Sequence, residues 1–167
     1  METSNTIVGV YDSHENAITA LNALKTAGLP LKNMSFISKA NIIESKLYAS
    51  SNNNIINAPV EIGVVLVPVL GILAGVSLIA IPGLGFLYGA GAVIGALAGF
   101  DIGLIGGGVT TLLMGMGIHK DKTATYHKHL EEGKYIITIN GENEIAEKAK
   151  EILHTVGLHI DLQHHQL

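Results

Sequence analysis

Few residues in this chain have the types and spacing that chemistry needs. Asp101 is the one charged residue within residues 62–118. A carboxylate in such surroundings can handle a proton or an ion, because an intramembrane charge costs about 2.5–3.5 kcal/mol on insertion scales. It can equally cap a helix that breaks after Phe100, or sit protonated and hydrogen-bonded across a helix interface. The stretch holds no second acid and no basic partner, which favours the cap or the protonated acid.

Eight histidines raise the question of a metal. His127 and His129 point two ways on a helix, and His164 and His165 stand at a terminus expected to fray. Neither spacing matches a zinc ligand set, so solvated surface histidines and no bound metal are the expectation. Gly83-x-Gly85 resembles the start of a dinucleotide fingerprint, but Tyr88 stands where the third glycine belongs. Gly106, Gly107 and Gly108 lack the lysine of a phosphate loop, and no serine sits in a nucleophile elbow. The absence of cysteine excludes a thiolate nucleophile, thiolate metal sites and disulfides. These observations predict a non-enzymatic protein with no catalytic residue, no cofactor and no small-molecule substrate. A net charge of -4, with lysine supplying all ten cations, leaves nucleic acid neither an electrostatic footprint nor a guanidinium fork.

The elements that could position such residues divide around the apolar stretch. Residues 62–118 show almost none of the turn-by-turn polar residues of a soluble helix, and they exceed the ~20 residues of one membrane-spanning helix. Gly91, Gly95, Gly99, Gly103 and Gly107 recur every fourth residue, and Gly71 with Gly75, and Gly85 with Gly89, repeat the interval. On helices these positions share a slowly drifting face that lets a second backbone approach, so they are candidate packing and oligomerisation sites. Pro82 and Gly83 give the strongest turn signal, dividing helices near residues 62–81 and 84–118. The second would be ~50 Å long at 1.5 Å per residue, so it must tilt, break or extend past the apolar layer.

On either side the chain reads as ordinary soluble protein. Residues 7–11 form a β-branched strand, Ser13 caps a helix lined by Ala17, Ala20, Leu21 and Leu24, Gly28 stops it, and residues 34–38 form a second strand. Near the other end, residues 135–139 form a strand and Asn140-Gly141 a turn. Ile145, Ala146, Ala149, Ile152 and Leu153 line a helix ending at Gly157, and Leu158, Ile160 and Leu162 alternate as a last strand. Laying Leu153 on Leu24 and Ala149 on Ala20 brings Ile136, Ile137 and Ile139 onto Ile7, Val8 and Val10. Two matching strand–helix–strand halves predict an α+β fold, a ferredoxin-like split βαβ sheet with two helices on one face and an inserted apolar Gly-rich α-helical hairpin. The expected parts are a first half in 1–40, a polar Asn-rich connector in 41–61, the hairpin in 62–118, and a connecting helix with the second half in 119–167. The connecting helix, residues 120–132, would carry Ala124, His127 and Leu130 or Glu131 on related faces.

Pairing the halves requires both to lie on one side of any membrane, hence an even number of spans. Lys39 and Lys46 before the stretch, with Lys120, Lys122 and Lys128 after it, place both termini in the cytoplasm by the positive-inside bias.

The run Ile81-Pro82-Gly83-Leu84-Gly85, the Gly/Ala-rich segment, Gly115-Met116-Gly117-Ile118, and Tyr126 followed by Leu130-Glu131-Glu132-Gly133-Lys134 before a strand resemble the general stress protein 17M-like family. The resemblance spans nearly the whole chain and is most specific over residues 81–139. It departs at His119-Lys120-Asp121, where members carry a proline and acidic residues. It implies a bacterial, stress-associated, non-enzymatic protein, with no catalytic residues to carry over. The expected function is a structural protein, a cytoplasmic domain held at the cytoplasmic membrane by a self-associating glycine-zipper hairpin, with the lipid bilayer and further copies of the chain as partners. The alternatives are a soluble self-assembling homo-oligomer with its hairpins buried between subunits, or a channel-like assembly with Asp101 facing a lumen.

Overall fold

The structure, a computed structural model, describes residues 5–39, 77–81, 85–91 and 108–166. In chain order these residues form β1 (Asn5–Tyr11), α1 (His14–Thr26), β2 (Met34–Lys39), β3 (Ser77–Ile81), β4 (Gly85–Gly91), α2 (Gly108–Gly115), α3 (Thr123–Glu131), β5 (Tyr135–Gly141), α4 (Asn143–Val156) and β6 (Asp161–Gln166). The result is a mixed α/β fold. Its strands lie in one sheet in the order β3-β4-β2-β5-β1-β6, with every neighbouring pair antiparallel.

Alternation along the strands sends side chains to two faces. On one, Ile7, Tyr11, Met34, Phe36, Ile137 and Ile139 pack against α1 and α4. Ala17, Ala20, Leu21 and Leu24 of α1 and Ala146, Ala149 and Leu153 of α4 are fully buried there, as their spacing predicts. The expected cap is in place: the Ser13 hydroxyl accepts the Asn16 backbone N–H at 3.2 Å. On the opposite face, Val8, Val10, Ile37 and Ile136 pack against Val109, Leu112, Leu113 and Met116, then Ile118, Tyr126 and Leu130.

The overlay of the two halves holds for the helices and fails for the strands. It sets Ile136 on Ile7, but Ile7 faces α1 and α4 while Ile136 faces α2 and α3. The link from β5 to α4 is one residue shorter than the link from β1 to α1, and a one-residue slip exchanges the faces of a strand. Asn140 and Gly141 belong to β5 rather than to a turn, and the last strand begins at Asp161, later than the alternation of Leu158 and Ile160 suggested.

The largest correction concerns the apolar stretch. Where two helices are expected, Ser77–Ile81 and Gly85–Gly91 are strands, paired with each other and, through β4, with β2. A spacing of four keeps residues near one face of a helix, but being even it also keeps them on one face of a strand. Gly85, Gly89 and Gly91 accordingly share one face of β4. Gly91 has φ +117, and a Cβ there would run into the Met34 carbonyl oxygen and the Ser35 Cα, so its bareness lets β4 close onto β2. Gly71, Gly75, Gly95, Gly99, Gly103 and Gly107, the turn residues Pro82 and Gly83, and Asp101 lie outside the described residues.

The end of the stretch is also no part of one long helix. α2 is short, and Val109, Leu112 and Leu113 recur on one face of it, continued by Met116 just beyond its end, while Thr111 and Met114 are exposed. This is the stripe of a helix lying on a sheet. The chain then bends at Gly117, whose φ is +89 and whose missing Cβ leaves room for Thr6 and Asn140. Among the described residues no helix is long and apolar enough to cross a membrane.

Candidate functional site

An enclosed group of titratable side chains forms where β6 meets α3. Thr123, Tyr126 and Leu130 turn toward the sheet at three- and four-residue intervals, while Ala124 and Glu131 are exposed and His127 is half-buried. A short 3-10 turn, Lys120–Lys122, leads in, and the Thr123 hydroxyl donates to the Lys120 carbonyl at 2.7 Å. This turn carries His119 to the side of β6, where its Nε2 lies 2.6 Å from the Gln166 carbonyl oxygen.

Strand β6 pairs with β1, setting His165 opposite Thr6. Alternation turns His165 toward α3 and its neighbour His164 toward α4. His165 is only 6% exposed, and its Nε2 lies 3.1 Å from the Tyr126 hydroxyl. The His119 ring is tilted against it with centroids 5.6 Å apart, and the Tyr126 ring meets it edge-on at 5.9 Å. The His129 ring lies 6.2 Å from the other flank of Tyr126. Burial, and next the positive potential of His119, hold the proton affinity of His165 below that of an ordinary histidine. Burial, with a smaller contribution from Asp161, pushes the Tyr126 hydroxyl far up, so it stays protonated.

This group differs from the expectation of solvated histidines. His165 is enclosed rather than frayed. The expectation failed because it ended the strand too early. Tyr126 and Leu130, four apart on a polar helix, were the signal that one face of α3 is buried. His127 fits the simpler account: it is half-buried and lies 3.7 Å from Glu131 across one helical turn, a largely solvated contact that contributes little. His164 lies 3.8 Å from Glu147 of α4 and 3.1 Å from the Asn5 side-chain oxygen.

Deeper on the same face, Thr6 donates to the Asn140 side-chain oxygen at 2.7 Å. Ser35 and Thr138, opposed across β2 and β5, are both fully buried. Their hydroxyls find no hydrogen-bond partner among the described residues. On the opposite face Tyr11 is fully buried beside an aromatic set in which Phe36 and Tyr135 lie 6.0 Å apart.

Chemically the β6–α3 group can hold or exclude one proton. The tyrosine is too weak an acid to act as a nucleophile near neutral pH, and no carboxylate reaches His165 to form a relay among the described contacts. Among the described residues no cluster of three or more histidine or acidic side chains could hold a metal ion. The glycines assigned to helix packing are brought together in none of this; of them, only Gly85, Gly89 and Gly91 are described, all in β4. No protein-family model, curated protein or solved structure matches the chain.

Proposed function

We propose that the protein is a non-enzymatic structural protein: a ferredoxin-like α/β domain that assembles into a homo-oligomer, with its apolar stretch buried in protein rather than in lipid. The ferredoxin-like reading is supported by the strand order β2-β5-β1-β6 and by α1 and α4 following β1 and β5 onto one face. The association with bacterial stress rests on the resemblance carried by residues 81–139.

The observation that carries burial in protein is α2. Its Val109, Leu112 and Leu113, with Met116 just beyond it, complete the second core, so the end of the apolar stretch serves the domain itself. With β3 and β4 in the sheet and α2 on it, the remaining apolar runs are residues 62–76 and 92–107. Each falls short of the ~20 residues of a spanning helix. Self-association is the use that remains for so much small and apolar surface. The end strand β6 carries neither lysine nor proline, the residues that commonly protect an open edge.

The test is expression without detergent, followed by alkaline carbonate washing of membranes and light scattering on the soluble fraction. The proposal expects a soluble particle of defined size above the monomer. Retention in the washed membranes overturns it in favour of anchoring, and a stable monomer overturns the assembly.

A further inference from the structure

Among the described histidines only His165 is buried, and it sits on an outermost strand. We propose that His165 is a proton-operated latch: neutral, it pins β6 to α3 through Tyr126; protonated, it releases β6 and uncovers the edge of β1. In the tautomer protonated at Nδ1, the neutral ring accepts the Tyr126 hydroxyl at Nε2, 3.1 Å away. Once Nε2 carries a proton, the hydroxyl must turn to accept it, giving up its own donation, and the ring brings a positive charge into an enclosed site beside His119.

The surroundings oppose the charge. From the turn before α3, His119 lies ring against ring, and Lys122 adds a positive charge; on β6 itself His164 adds to both. Asp121 alone acts the other way. On α3, His129 stands behind Tyr126 with Glu132 3.9 Å from its Nδ1. From the α4 side Glu147 faces His164, and Asp161 lies on the Tyr126 side; β1 offers only the uncharged Thr6. Burial is the largest influence, and it too favours the neutral ring.

The sign follows. A released β6 binds the proton with the ordinary histidine affinity, near 6.5, while the latched form binds it less well. The latch is therefore whole above that value and weakens as pH falls through it toward the lowered value of the latched state. β6 is held by one strand only, so its release is local. It uncovers the backbone edge of β1, whose Ile7, Val8 and Val10 are fully buried, a template on which another strand can pair.

Amide exchange on the full chain at about pH 7.5 and about pH 5.5, corrected for the intrinsic chemical rate, reads the latch. Opening of Asp161–Gln166 is expected to rise by up to about tenfold for each pH unit below 6.5, while Met34–Lys39 keeps its protection. His165→Gln, whose amide accepts from Tyr126 without titrating, is expected to lose the acid step, and His164→Gln to keep it. An acid step of undiminished size in His165→Gln overturns the latch, as does equal opening of β2, which would be unfolding of the domain. If His165→Gln fails to fold, the ring-proton titration of the parent decides. A midpoint below 6.5 that coincides with β6 opening supports the latch, and titration without opening overturns it.

Discussion

One sheet carries two helical layers of different make. The α1–α4 layer is built on a seam of small residues, Ala17, Ala20, Ala146 and Ala149, flanked by leucines, and its two helices come from equivalent places after β1 and β5. The α2–α3 layer is built from larger side chains, among them Leu112, Leu113, Met116 and Tyr126, and comes from one continuous segment between β4 and β5. Among the described residues, most of the buried polar side chains belong to this second layer: Thr6, Ser35, Thr123, Thr138 and His165. The first layer holds fewer of them, Asn5 and Ser38 among the described residues, beside the buried Tyr11 hydroxyl. The second sets more of them within its apolar packing, and two, the Ser35 and Thr138 hydroxyls, find no partner among the described residues; such groups are the ones sensitive to solvent and protons. Stability is expected to be shared between the layers, and responsiveness to reside in the second.

The comparison breaks most visibly at a core leucine in each layer. Leu113→Ala and Leu153→Ala each remove a fully buried side chain and are expected to cost about 2–5 kcal/mol in denaturant unfolding. If Leu113→Ala leaves the midpoint unmoved while Leu153→Ala lowers it, the second layer is no part of the cooperative fold.

A smaller effect sharpens how the second layer is tied down. At Gly117, φ +89 and the crowding of Thr6 and Asn140 oppose any side chain, so Gly117→Ala is expected to cost about 1–3 kcal/mol. Gly115→Ala, at the exposed end of α2, is the control and is expected to be neutral or slightly stabilising. Equal effects at the two glycines would remove the argument for a constrained bend.

In the first layer, Ser13→Ala removes the hydroxyl that accepts the Asn16 N–H and should lower stability by about 1 kcal/mol. The smallest effect belongs to the surface of α3: Glu131→Gln, which removes the solvated contact to His127, should shift stability by no more than about 0.5 kcal/mol. A larger loss there would mean that His127 is structural after all.

What could be read in advance divides along the same line. The first layer was legible because polar and apolar residues alternate at the helical interval and because Ser13 and Gly157 mark ends. The β3–β4 strands were not, since residues 62–118 are apolar almost throughout and offer little contrast from which to choose a period. Glycine spacing could not choose either, being even. The α2 stripe was weakly legible, for Thr110 and Thr111 stand opposite Val109, Leu112 and Leu113, yet the surrounding apolar residues drown that contrast. His165 and Tyr126 are far apart in sequence and meet only through the β1–β6 pairing, which no local pattern encodes. The ladder glycines beyond residue 91 and Asp101 remain proposals from sequence.

The central claim is that part of the apolar stretch is a strand of the domain, and one pairing tests it. Ser38 and Tyr88 are Cα partners across β2 and β4, and the chain contains no cysteine of its own. Paired strand positions stand within the roughly 4.4–6.8 Å Cα separation that a disulfide bridges. Under mild oxidation without detergent, Ser38→Cys with Tyr88→Cys is expected to give an intramolecular disulfide. Ser38→Cys with Leu87→Cys, one residue out of register and on the opposite face, is expected to give none. Failure of the matched pair to close, or equal closure of both, would contradict a β4 strand in this sheet.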